Sequence, residues 1–240
     1  MAVLKKLYDG AKELGIDLSQ GQLDKFEVYY REIVEWNRKM NLTRITGYEE
    51  VQIKQFLDSM TIIPQMETSG SDFRIIDVGS GAGMPGIPIK IVLPDAKVTL
   101  LEATAKKTQF LKYVIEKLGL RDIEAIKGRA EELAHQRQFR EQYDIVLSRA
   151  VAALPVAVEL SLPFCIQGGR FIAQKKGDIE QEIRQSATAI VEMGGELRDV
   201  KQVEIMGLND GRKLVVIEKV KPTPDKYPRR PGMPAKRPIE

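Results

Sequence analysis

The sequence predicts an α/β fold: a mostly parallel seven-stranded sheet that ends in an antiparallel hairpin, preceded by a helical extension. Three observations predict it. From Arg74 onward, short apolar runs alternate with amphipathic helical runs, the pattern of a parallel sheet with helices on both faces. The last two strand-like runs, 200–205 and 214–220, are joined through Asn209-Asp210-Gly211, a link too short for a crossover helix, so they pair antiparallel. Before Pro64, apolar residues recur only at helical spacing.

In order along the chain, Leu4, Leu7, Tyr8, Ala11 and Leu14 mark a first helix. Ser19 with Gln22 is a capping box before a second helix, whose stripe is Leu23, Phe26, Tyr30, Ile33, Val34 and Met40. Thr46 with Glu49 repeats the box before a third helix running to about Met60. Pro64 and the Thr-Ser-Gly-Ser stretch at 68–71 mark a boundary. Strands follow at 74–78, 98–101, 123–126, 145–147 and 170–174. Between them lie helices at 86–93, 108–118, 131–141 and from the fourth strand to about 160. Asp178 with Gln181 caps one more, which Gly194-Gly195 ends. Three regions result: helical 1–70, α/β 71–220, and a basic, Pro-rich tail 221–240.

The composition sets limits on function. The 240 residues carry 37 basic and 34 acidic side chains, a formal charge of +3. The last 22 residues hold 7 of the basic and 2 of the acidic groups, with six of the twelve prolines. The single cysteine, Cys165, allows no internal disulfide and points to a reducing, cytoplasmic setting. No run approaches the ~20 apolar residues of a membrane span, and the first residues lack the core of a secretory signal. Membrane, secreted and wholly disordered classes are excluded, and a monomer is expected.

The chemistry centres on Ile75-Ile76-Asp77-Val78-Gly79-Ser80-Gly81-Ala82-Gly83-Met84-Pro85-Gly86. An apolar strand feeds a glycine turn and then a helix start, at the strand edge where α/β sheets bind ligands. Two ligands compete. Residues 81–86 fit G-x-G-x-x-G, the dinucleotide pattern. An acid two residues before G-x-G-x-G, here Asp77, is instead the S-adenosylmethionine (AdoMet) pattern. A carboxylate suits a sulfonium and an ammonium, and repels a pyrophosphate. Glu102 can accept from ribose hydroxyls in either case. Five βα units closed by a reversed strand is the architecture of class I AdoMet-dependent methyltransferases, and this favours AdoMet over a nicotinamide dinucleotide.

With these residues in view, the sequence resembles the ribosomal RNA small subunit methyltransferase G family, also called the glucose-inhibited division protein B family. The matching stretches are Trp36-Asn37 with Asn41-Leu42-Thr43, Phe56-Leu57-Asp58-Ser59, the glycine block through Pro88, Gly128-Arg129-Ala130-Glu131-Glu132, Ser148-Arg149-Ala150 and Lys176-Gly177. The tail, from Lys226 to Gly232, is similar to that of Bacillus-type members. The resemblance implies AdoMet-dependent methylation of guanine nitrogen 7 in 16S ribosomal RNA, free or in an assembling small subunit. It carries cofactor contacts onto Gly79, Met84, Glu102, Ala103, Thr104, Ala130, Glu131 and Arg149, beside Asp77 and Gly81 of the turn. The family usually has His directly before the Phe-Leu-Asp-Ser stretch; here that place is Gln55.

The residues agree with that chemistry. Guanine nitrogen 7 carries a free lone pair, so no general base is expected, and His135, the only histidine, lies in a polar stretch. Methylation at pyrimidine carbon 5 needs a thiolate, and Cys165 sits in an apolar run. No Cys/His spacing suggests a metal. A methyltransferase of another RNA or small nucleophile, and a nicotinamide-dependent oxidoreductase, remain alternatives. Arg149 ends a central strand and is expected to clamp the cofactor carboxylate or the RNA. Lys106, Lys107, Lys175 and Lys176 lie at the same edge as RNA candidates. Arg229 and Arg230 represent the tail, read as an extended arm.

Overall fold

A computed structural model describes residues 4–67, 73–149 and 152–239; the boundary expected at 68–71 and Ala150 of the Ser-Arg-Ala stretch lie outside them. The strands are β1 (Arg74–Val78), β2 (Lys97–Glu102), β3 (Ile123–Lys127), β4 (Tyr143–Arg149), β5 (Cys165–Lys176), β6 (Gly195–Gln202) and β7 (Arg212–Lys219). They form one sheet in the order β3-β2-β1-β4-β5-β7-β6. The first five pair in parallel, and β7 enters antiparallel between β5 and β6. The order reverses between β1 and β4, so a crevice opens beyond their carboxyl ends. β6 starts earlier than its apolar run because it is an edge strand with mostly exposed side chains, which carry little alternation.

Neighbouring residues of β1 serve opposite faces, as strand geometry requires: Ile75 joins one apolar cluster and Ile76 the other. The first face is covered by α1 (Lys5–Glu13), α2 (Gln20–Asn37), α5 (Gly86–Val92) and α6 (Ala105–Lys117), through Leu7, Phe26, Ile87 and Phe110. The helical beginning of the chain therefore shares its core with the sheet. The box of Ser19 and Gln22 forms as expected, and the Gln22 amide also donates to Ile91 O at 2.9 Å, tying α2 to α5.

The third helix departs from expectation. It is α3 (Tyr48–Val51), six residues of π-helix at Gln52–Leu57, then α4 (Asp58–Met60). Its N-cap is Gly47 without a side-chain bond, so Thr46 and Glu49 make no box. Phe56 packs on Phe26 and Tyr29, which fixes the inward face of this segment.

The second face carries α7 (Ala130–Leu133), α8 (Leu154–Ser161), α9 (Glu180–Gln185), α10 (Ala187–Glu192) and the short α11 (Met233–Lys236). α7 stops far short of residue 141. Asp178 accepts from the Glu180 amide without forming a box with Gln181, because the helix starts at Glu180.

The tail is not an independent arm. It runs back along this face as a strap. The Arg140 guanidinium donates to four backbone carbonyls, of Ala134, Thr223, Pro224 and Tyr227. Fully buried Lys219 bonds Thr223 at 2.6 Å and pairs with Glu141 at 3.0 Å. Arg229 grips Glu159, itself 1% exposed, at 2.6 Å. His135 is exposed as expected, with Nε2 2.8 Å from Pro228 O.

Candidate functional site

The turn after β1 is built by its own backbone and by two carboxylates. Gly79 and Ser80 amides donate to Leu101 O, which seats the turn against the end of β2. Gly79, Gly81 and Gly83 all have positive φ. Two later glycines are packing glycines: a Cβ on Gly83 meets Ile87 at 2.5 Å and Tyr29 Oη at 2.7 Å, and one on Gly86 meets Leu100 at 2.3 Å. Gly81 differs. A Cβ there meets only Gly79 O, at 3.9 Å, so its backbone is bare toward open space.

Asp77 is fully buried. Its Oδ2 accepts from the Gly86 amide at 3.0 Å and so holds the start of α5 on β1, while Oδ1 has no partner among the described residues. Burial pushes its carboxyl up to about 7, although the Gly86 amide and the Arg149 charge pull the other way. Asp77 therefore braces the turn from inside. Glu102, 6% exposed, is the second carboxylate: Oε2 accepts from the Gly81 amide at 3.0 Å and Oε1 from the Thr104 amide at 2.7 Å. Ala103 and Thr104 are exposed beside it. Ala130 and Glu131 open α7 on the far side, where Glu131 accepts from the Gly232 amide of the strap at 3.1 Å. Met84 is buried, its sulfur 3.8 Å from Tyr29 Oη and 3.9 Å from Ser59 Oγ, so it supports the turn from below.

The second half of the site is a pocket of about 420 Å³ beyond β4 and β5. Its cations, Lys54, Arg149, Lys175, Lys176, Arg212 and Lys213, outnumber its carboxylates, Asp58 and Glu182. Arg149 is 20% exposed and reaches Asp58 at 3.2 Å. Lys175 is not a free cation: it pairs with Glu182 at 2.6 Å and donates to Ala152 O. Lys176 remains largely exposed, though paired with Asp210. Lys106 is exposed and Lys107 half-buried at the start of α6, where the helix dipole repels them. Arg229 is engaged by Glu159, and Arg230 is exposed. Lys175 and Arg229 are thus both held in ion pairs within the chain.

Sequence reasoning missed Arg212. It opens β7, 2.6 Å from Asp58, and sits opposite Lys176 in the β5–β7 ladder. The only signal was its place just after the Asn209-Asp210-Gly211 turn, and its partner Asp58 is distant in sequence. Cys165 is buried, and burial pushes its thiol up to about 12, which removes it as a nucleophile. Among the described residues no group of three or more His, Cys, Asp or Glu side chains could hold a metal ion. No described helix is long and apolar enough to cross a membrane.

Comparison with known proteins places the chain. A sequence model of rRNA small subunit methyltransferase G matches residues 22–211. The chain belongs to that family. Among its relatives, the ribosomal RNA small subunit methyltransferase G of Dehalococcoides mccartyi is 50% identical over 98% of this chain and 100% of its own length. The one from Desulforamulus reducens is 47% identical over 97% of each. Solved structures share the class I methyltransferase fold. The putative methyltransferase in complex with the Haloferax volcanii Trm112 activator has a TM-score of 0.58 at 12% identity, over 79% of this chain and 98% of that one. Aeropyrum pernix fibrillarin, natively bound to S-adenosyl-L-methionine, gives 0.51 at 15% identity, over 65% and 71%. Gln55 lines the pocket. Its amide donates to Thr43 Oγ1 and Ile45 O and so holds the pocket wall.

Proposed function

We propose that this chain methylates guanine nitrogen 7 in 16S ribosomal RNA of the small subunit, with S-adenosyl-L-methionine as donor, acting as a monomer in the cytoplasm. One observation carries this reading. A glycine turn whose Gly81 backbone faces open space and is braced by Glu102 stands beside a cation-rich pocket, at the switch point of a methyltransferase sheet.

The residues fit the donor. Gly79 and Gly81 offer backbone without side chains to the nucleoside. Glu102 faces the ribose side, with Ala103 and Thr104 next to it, and Ala130 and Glu131 bound the crevice opposite. Met84 and Asp77 keep the turn in shape. When bound, S-adenosyl-L-methionine supplies an electrophilic methyl group. Nitrogen 7 needs no proton removed before it attacks, so the protein's work is to position the base and exclude water. Arg149 stands between donor and substrate, within reach of the cofactor carboxylate or the RNA. Lys106, Lys107, Lys176 and Arg230 neutralise RNA phosphates around the crevice.

Mapping 7-methylguanosine in ribosomal RNA from cells with and without the gene tests this reading. One 16S site is expected to lose its methyl group in the absence of the gene. An unchanged 16S map refutes the assignment.

A further inference from the structure

Asp58, in the Phe56-Leu57-Asp58-Ser59 stretch, stands at the centre of the pocket's ion pairs. Its carboxylate is 3% exposed, and Oδ2 takes both Arg149 Nη1 at 3.2 Å and Arg212 Nη1 at 2.6 Å. Its backbone carbonyl accepts from the Gln174 amide at 2.7 Å. Asp58 thus joins the helical segment to β4, β5 and β7 at one point. The π-helix just before it supports a functional reading, because π turns recur at functional sites and re-aim the side chains that follow.

The two arginines are only partly engaged. Arg149 uses Nη1 for Asp58 and Lys54 O, and Arg212 uses Nε for Asp210 and Nη1 for Asp58. Among the described residues, Arg149 Nε and Nη2 and Arg212 Nη2 have no acceptor. Arg149, Arg212 and Lys176 together face Asp58 and Asp210, which leaves one positive charge in excess, and the two arginine side chains, 20% and 15% exposed, keep unfilled donors at the pocket wall. A planar guanidinium with free N–H groups matches a phosphate. An extended RNA strand with a base in the pocket brings a phosphate with it.

We propose that Asp58 is a positioning residue: it fixes Arg149 and Arg212 as a paired clamp for a phosphate of the target nucleotide. This rests on the pocket being the seat of the methylated RNA. Asp58 never touches the reacting atoms, and it acts through the two side chains it aligns.

The experiment compares Asp58→Asn with the wild type on RNA that the wild type methylates. Asparagine keeps the shape and removes the charge that holds both guanidiniums. KM for RNA is expected to rise at least about tenfold, the scale of one charge-assisted hydrogen bond, while AdoMet Kd from calorimetry stays within about twofold. Arg212→Lys, at a partly exposed site, is the second variant should Asp58→Asn not fold. It keeps the charge, loses the planar fork, and is expected to shift KM in the same direction. An unmoved KM for RNA in a folded variant overturns the proposal, as does a loss seen equally in AdoMet Kd. A wild type that binds AdoMet but methylates no RNA overturns the function beneath it as well.

Discussion

Arg149 and Arg212 at the crevice and Arg140 and Arg229 under the strap are the same residue type in opposite conditions. Arg140 donates to four backbone carbonyls, and Arg229 meets both oxygens of a buried carboxylate. The crevice pair shares one carboxylate oxygen and leaves donors unfilled. Local charge density therefore misleads: the tail is the most basic stretch of the sequence, yet its central arginine is structural. What distinguishes a ligand-facing cation is the number of N–H groups left without an acceptor.

The largest effect should come at the crevice. Arg149→Ala is expected to lower the methylation rate by about 10²–10³-fold, the scale of removing one preorganised charged donor. Thermal unfolding should move little, because Arg212 still neutralises Asp58. Full methylation by the folded variant would take Arg149 out of the site and erase the contrast.

Under the strap the signs reverse. Arg229→Ala leaves Glu159 buried without its partner, at a cost of about 3 kcal/mol. Tm should fall by roughly 6–12 °C for a chain of this size, with RNA affinity per folded molecule unchanged. A stable variant with a shallower salt dependence of RNA binding would make the tail an RNA arm after all.

The contrast extends to buried carboxylates. Glu159 has a cation against it, whereas Asp77 has an amide and an unfilled oxygen. Asp77's folded value near 7 lies above its ordinary value of 3.8. The folded state then binds the proton more tightly, so this group favours the fold at low pH, and that contribution is lost as pH rises from about 4 through about 7. Chemical denaturation across that window should show wild-type stability falling relative to Asp77→Asn. Parallel curves for the two proteins would mean the carboxyl is not perturbed.

The smallest effect belongs to the surface lysines. Replacing Lys106 and Lys107 with Ala should weaken RNA binding modestly and reduce the salt slope by about 1–2, with AdoMet Kd unchanged. A change confined to AdoMet would move these lysines from the RNA side of the crevice to the cofactor side.

Much of this was readable from sequence where the information is local. The Ser19–Gln22 box, the glycine turn, β1 and the reversed last strand depend on residues close together in the chain. The same locality produced the errors. Thr46 and Glu49 have the spacing of a capping box, but tertiary packing of Phe56 and the π turns decided where that helix starts. The course of the strap is not legible locally because its partners, Glu131, Arg140 and Glu159, are 70 to 101 residues away. Asp58 was visible as part of a motif, but its meaning requires Arg149 and Arg212, which only the folded sheet brings to it.

The reversal of β7 has a consequence for how substrate choice can change. An all-parallel sheet presents only strand ends at its ligand edge. Because β7 runs the other way, its beginning lies there, and with it the loop from Val203 to Gly211, whose Met206 amide is anchored on Glu13. Val203 of that loop lines the pocket. Insertions or exchanges in the loop offer evolution a way to retune which RNA is admitted while the donor end stays as it is.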